Sequence, residues 1–275
     1  MRKIVLALAA LVFVAVLALL ARALLTEDTR GARVERLTVD SRLTGGERPL
    51  TLVVPEGAGE DDPRPLLLFL HGRGGDSDDL LSDELFAALE ALGDRAPVIA
   101  APDGGDGSYW HDRETGAWGS YVVEEALPAA LREAPADPGR VAVGGISMGG
   151  FGALSLAREH PGRFCAVGAH SPALWRTGGE TAPGAFDHAE DFARHDLVGA
   201  AASRPDPYAA QPVWVDAGAQ DPFVPGIDAF VAGLDGAGVP VAHHRWPGGH
   251  EGAYWRSHLD EYLRFYARAC AGGGG

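Results

Sequence analysis

The chain has 275 residues, 46% of them hydrophobic, and a formal net charge of −15 at pH 7, enough apolar content for one large α/β domain and the wrong sign for nucleic acid or an anionic membrane surface. Lys3 is the only lysine, which excludes a serine–lysine dyad or a Schiff-base lysine anywhere in the folded part.

The first 25 residues stand apart. "MRK" is followed by "IVLALAALVFVAVLALLA" (4–21), an uncharged apolar run, and "ARA" (21–23) offers a small-residue cleavage site. The segment reads as a signal peptide or as a retained N-terminal membrane anchor. Either reading puts the domain expected over 31–271 outside the cytoplasm, secreted or anchored. The membrane is then a partner only through this segment. The two cysteines, Cys165 and Cys270, are in that setting either one disulfide or two separately buried thiols.

"VERLTVDSRL" (34–43) and "PLTLVVP" (49–55) alternate apolar and polar residues and predict an antiparallel pair. "PLLLFL" (65–70) is a continuous apolar run, as in a strand buried on both faces. Helical spacing predicts a helix over 77–92, a strand over 97–102, and a helix over 121–134 that Pro128 should kink. A strand over 140–145, a helix over 148–160 and a strand over 163–171 follow. An irregular segment, 172–211, carries one short helix at 188–198, and then come strand 212–218, helix 223–238, strand 240–246 and a final helix over 251–270. The glycines at 272–275 read as a tail. Strands alternating with helices predict a mostly parallel sheet of about eight strands with helices on both faces, opened by the antiparallel pair.

Between strand 140–145 and helix 148–160 lies "GGISMGG" (144–150). A serine joining a strand to a helix without a loop sits on a strained backbone, and its neighbours two positions away are pressed together, so Gly145 and Gly149 match the G-x-S-x-G nucleophile elbow. A serine hydroxyl needs a base to take its proton and a carboxylate to orient that base. Of the ten histidines, His250 leaves the carboxyl end of the last strand in a glycine-rich loop, on the rim where Ser147 emerges. Of the carboxylates in "WVDAGAQDPF" (214–223), Asp221 lies in the loop on that same rim, while Asp216 falls within the strand and braces the loop. Ser147, Asp221 and His250 therefore form the predicted catalytic triad, in the chain order of α/β hydrolases. The expected oxyanion donors are the Met148 amide, at a helix N-terminus, and the Arg73 or Gly74 amide in "HGRGG" (71–75). His71 is expected to brace that loop.

Together "HGRGG", "GSYVVEEALP", "GGISMGGFGAL", "DAGAQDPF" and "PGGHEGAYWRSHLDEYLRFY" resemble the Putative esterase family of α/β hydrolases, which includes esterase-D-like enzymes, feruloyl esterases and mycolyltransferases. The resemblance spans nearly everything from residue 34 to 270. It implies the α/β-hydrolase fold without a large lid domain, and a serine hydrolase that needs no cofactor or metal, with Ser147, Asp221 and His250 as its triad. The chain departs from the mycolyltransferase pattern around the serine and at the oxyanion loop. The resemblance also places Cys165 and Cys270 at the amino-end rim of the sheet, where they are expected to pair.

Substrate selection is expected from the loops 103–119 and 172–211 and the loop after Asp221. In "YWHDRETGAW" (109–118), Tyr109, Trp110 and Trp118 either line an apolar substrate pocket or pin the loop to the core. "DGGDG" (103–107) and "DSDD" (76–79) do not have EF-hand spacing and read as turns and caps. The expected function is an extracytoplasmic carboxylic-ester hydrolase acting on a small-molecule, lipid-linked or polysaccharide-linked ester. The alternatives are an acyltransferase using the same triad and a non-catalytic surface binding module.

Overall fold

Alternating side chains pair strand β1 (Arg33–Ser41) with β2 (Gly46–Val54) in antiparallel register. The structure, a computed structural model, describes residues 28–271, so the predicted signal or anchor at 1–25 and the tail at 272–275 lie outside the described residues. Strands β3 (Arg64–Leu70), β4 (Val98–Pro102), β7 (Ala136–Ile146), β8 (Ala166–His170), β9 (Val213–Gly218) and β10 (Val241–Trp246) run parallel. The sheet has eight strands in the order β1-β2-β4-β3-β7-β8-β9-β10, and β2 meets β4 antiparallel. A small hairpin, β5 (Asp112–Arg113) with β6 (Gly116–Ala117), lies apart from it.

Every residue of β3 is buried, because the strand is covered on both faces. Leu66, Leu68 and Leu70 enter one core with helices α4 (Met148–Glu159) and α7 (Val224–Gly236). Leu67 and Phe69 enter a second core with α1 (Asp83–Leu92) and α9 (Leu259–Ala269). The mostly parallel sheet with helices on both faces is the α/β-hydrolase architecture expected. No helix among the described residues is long and apolar enough to cross a membrane.

Several helix boundaries differ from the sequence expectation. Helix α1 begins at Asp83 and not at 77, because the Ser82 Oγ accepts the Leu85 amide at 3.2 Å and caps it there. The kink expected at Pro128 takes the form of a π-helical stretch, Val122–Ala126, between α2 (Trp118–Tyr121) and α3 (Leu127–Glu133). The single helix expected at 188–198 is two, α5 (Ala189–Arg194) and α6 (Leu197–Ser203), since the Asp196 carboxylate accepts the Gly199 amide at 2.8 Å and starts a new helix. The last helix breaks at His258 into α8 (Gly252–Ser257) and α9. Cys165, just before β8, and Cys270, just after α9, are joined as a disulfide.

Behind the carboxyl rim of the sheet lies a buried polar network centred on Asp216 in β9, whose carboxylate is fully buried. One of its oxygens accepts from His170 Nδ1 at 2.6 Å and Trp214 Nε1 at 2.8 Å. The other accepts the Tyr254 and Tyr262 hydroxyls at 2.9 and 2.8 Å. With Nδ1 donating, His170 Nε2 accepts the Tyr266 hydroxyl at 2.9 Å. Burial, and then the Asp216 charge, push the Tyr254 and Tyr262 hydroxyls up from their ordinary range, so both remain donors. Four donors aimed at one desolvated carboxylate make the charge expensive to remove. Asp216→Asn is expected to cost about 3 kcal/mol, read as a lower urea midpoint at unchanged slope; a loss below about 0.5 kcal/mol, the level of an ordinary surface change, would contradict the network's role.

Candidate active site

The strand-to-helix junction after β7 leaves Ser147 no room for ordinary backbone. Its φ is 56° and ψ −111°, a conformation that costs on the order of 1–3 kcal/mol for a residue with a Cβ. The surroundings hold it: the Ser147 amide donates to His170 O at 2.9 Å, and its carbonyl accepts from Phe151 and Ala173. A Cβ on Gly149 would collide with the Leu70 carbonyl, and one on Gly145 would lie 2.5 Å from the Gly149 carbonyl carbon. The two glycines of the motif are therefore steric necessities of the turn.

The loops after β9 and β10 carry the other two predicted residues, and hydrogen bonds zip these loops together. The Ala219 amide donates to Trp246 O, Gln220 N donates to Gly248 O, and Gly248 N donates to the Gln220 side chain. This brings His250 Nδ1 to 2.8 Å from Asp221 Oδ2, and His250 Nε2 to 2.8 Å from Ser147 Oγ. The other Asp221 oxygen accepts the Phe223 amide at 2.8 Å, which fixes the carboxylate plane. With Nδ1–H donated to Asp221, Nε2 presents its lone pair to the serine hydroxyl. The imidazole is packed edge-on against Trp255 and Phe223, each with ring centroids 5.0 Å away. The arrangement can move a proton from Ser147 to His250 without any rearrangement.

Met148 N opens α4, where helix geometry leaves it free. In the loop after β3, Gly74 N donates to Asp106 O at 3.0 Å, so of the two amides expected to serve there Gly74's is already engaged. His71 braces this loop as expected: its Nε2 accepts the Gly104 amide at 2.9 Å, and its Nδ1 donates to Gly72 O at 2.7 Å.

Ser147 and His250 open onto a cavity of about 580 Å³ whose wall includes Tyr109, Phe223, Trp255, Arg73, Arg256 and Asp79. Its size suits a small organic ligand. Burial, followed by the neighbouring Asp76 carboxylate, holds the Asp79 carboxyl above its ordinary range. Burial likewise raises the Tyr109 hydroxyl, although the Arg73 charge opposes the shift.

Of the three aromatic residues singled out in the 109–118 loop, only Tyr109 lines the cavity. Trp110 is fully buried, donates its indole N–H to His71 O at 3.1 Å, and packs edge-on to the His71 ring. Trp118 is buried beneath the Arg48 guanidinium, 4.7 Å from its ring centroid. Both pin the loop to the body and neither lines the cavity, which corrects the reading of Trp110 and Trp118 as substrate-binding residues. Phe223 belongs to the loop after Asp221 that was expected to select substrate, whereas Trp255 and Arg256 were not foreseen as lining residues. Their signal was their closeness in sequence to His250.

The family model described as "Putative esterase" matches residues 41–266. An esterase of Mycobacterium tuberculosis is 28% identical over 227 residues, covering 68% of this chain and 48% of the relative. Iron(III) salmochelin esterase of Escherichia coli is 29% identical over 248 residues, 86% of this chain and 58% of the relative. The chain thus spans about half the length of the curated relatives it matches. Among solved structures, a ferulic acid esterase superposes with a TM-score of 0.77 at 22% identity, covering 86% of this chain and 99% of the other. S-formylglutathione hydrolase from Agrobacterium tumefaciens gives 0.72 at 20% identity, covering 88% and 96%. At these identities the likeness shows the shared α/β-hydrolase fold.

Proposed function

The chain belongs to the Putative esterase family, and from that premise we propose that it is an extracytoplasmic carboxylic-ester hydrolase working through an acyl-serine intermediate on Ser147. The observation that carries the reading is the unbroken hydrogen-bonded line from Ser147 Oγ through both ring nitrogens of His250 to Asp221. Ser147 Oγ attacks the ester carbonyl as His250 Nε2 takes its proton. Asp221 holds the imidazole in the required tautomer and stabilises the imidazolium that forms. The Arg73 and Met148 amides receive the charge that develops on the carbonyl oxygen. The intermediate collapses by breaking the ester C–O bond, and His250 returns its proton to the departing alcohol. Water, deprotonated by the same imidazole, then releases the acid and restores the serine.

The cavity's aromatic wall and its two arginines suit an acyl or aryl ester that carries an anionic or polar group at its far end. The disulfide and the N-terminal segment support a location outside the cytoplasm. Product analysis on short-chain aryl esters, with and without an added alcohol, tests the reaction. One equivalent of free acid per alcohol released, unchanged by the acceptor, is expected. A product ester formed at the expense of the acid would instead identify an acyltransferase.

A further inference from the structure

Away from the ester-cleaving machinery, His111 from the 103–119 loop and Asp191 and His195 from the 172–211 segment bring their donor atoms within 4.8 Å of one another. His111 and Asp191 are fully buried, and the His195 side chain is 11% exposed. We propose that these three residues form a zinc-class divalent-cation site that clamps together the two loops flanking the cavity.

The spacing is one that a single cation can bridge. His111 Nε2 lies 3.2 Å from one Asp191 oxygen, and His195 Nε2 lies 3.7 Å from the other. Zinc–ligand bonds of about 2.0–2.1 Å in tetrahedral array set neighbouring ligand atoms roughly 3.3 Å apart. The far ring nitrogens face acceptors in the way metal-ligating histidines do. His111 Nδ1 lies 3.4 Å from the Tyr109 carbonyl, and His195 Nδ1 lies 3.4 Å from Glu159 Oε1. His195 Nδ1 makes no well-formed hydrogen bond despite its burial. In the tautomer that keeps both protons on Nδ1, the two Nε2 lone pairs and the Asp191 carboxylate converge as ligands on one point, the arrangement a bound cation requires.

Asp191 has two other partners, the Asp187 amide at 2.9 Å and the Arg194 guanidinium at 3.1 Å. The amide is an ordinary support for a ligating carboxylate. Arg194, at 60% exposed, can withdraw to solvent, and His195 marks the solvent-facing edge by which an ion enters. Two imidazole nitrogens and one carboxylate select zinc-like metals over calcium or magnesium. The clamp reaches the cavity through Tyr109, which lines it and lies two residues before His111; the Phe151 ring of α4 packs edge-on against both side chains.

The test is metal content of the full chain as purified, followed by cobalt substitution after chelator treatment and dialysis. Wild type is expected to carry about one zinc per chain before the chelator step and, once stripped, to give the intense visible bands of low-coordinate cobalt when titrated with Co²⁺ alone. Zinc at a hundredfold excess over Kd should raise the melting temperature by roughly 5 °C. His195→Gln, at the rim of the site, and Asp191→Asn should each weaken Co²⁺ binding by about 100-fold or more. Should Asp191→Asn fail to fold, the wild-type spectrum and the rim variant still decide. Substoichiometric binding in wild type, or stoichiometric binding that His195→Gln leaves unchanged, would overturn the site.

Discussion

Replacing Ser147 with alanine is expected to lower kcat/KM for a simple aryl ester by about 10⁴- to 10⁶-fold, the range that separates a full triad from an oxyanion hole acting alone. The substitution removes the hydroxyl that lies 2.8 Å from His250 Nε2, the nucleophile of the proposed reaction. It leaves the Arg73 and Met148 amides, so activity should not fall to the uncatalysed rate. Alanine inherits the positive φ of the elbow, and the backbone bonds to His170, Phe151 and Ala173 do not involve the hydroxyl. Thermal stability should therefore change little. A variant that keeps more than about a tenth of wild-type activity would remove Ser147 from the chemistry.

Loss of the Cys165–Cys270 bond is expected to be the largest single stability change. The bond closes a span of 105 residues that contains β8, β9, β10 and the helices between them. On the chain-entropy account, a loop of about 100 residues contributes about 4.7 kcal/mol by restricting the unfolded ensemble. Cys270 is buried against α9's own core, so a Cys165→Ser/Cys270→Ser pair adds the desolvation of a hydroxyl. Denaturant unfolding of that double variant should show a deficit of about 4–5 kcal/mol. Because the bond sits at the amino-end rim and Ser147 at the carboxyl-end rim, kcat/KM at low temperature should stay within about twofold of wild type. A deficit below about 1 kcal/mol would show that the unfolded chain is already restricted there by other means.

Much of the fold was legible because a parallel sheet writes itself in buried runs such as "LLLFL", and the elbow was legible because its two glycines answer steric demands. Asp221 and His250 could be picked out because loops leaving parallel strands must share one rim, and the structure does bring both within 2.8 Å contacts. The rest depended on single side chains that periodicity does not see. Whether 77–82 is helix or turn rests on the Ser82 hydroxyl. Whether Trp110 faces a ligand or the core rests on a backbone with φ of 56°. The Asp216 network draws in His170 and Tyr262, 46 residues away on either side, and His111 stands 80 residues from Asp191, so only the local Asp191–His195 pair, at i,i+4, follows a spacing rule. The disulfide was suggested by the even, minimal cysteine count and sharpened by the resemblance, since two cysteines allow one pairing but do not say whether it forms.

The central claim is that the serine at the elbow is made nucleophilic by the imidazole beside it. Reaction of the folded chain with a fluorophosphonate, followed by peptide mass mapping, tests this most directly. A single adduct on Ser147 in wild type, and none in a folded His250→Ala variant, is the predicted result. Absence of labelling in folded wild type, an adduct on a different serine, or undiminished labelling without His250 would contradict it.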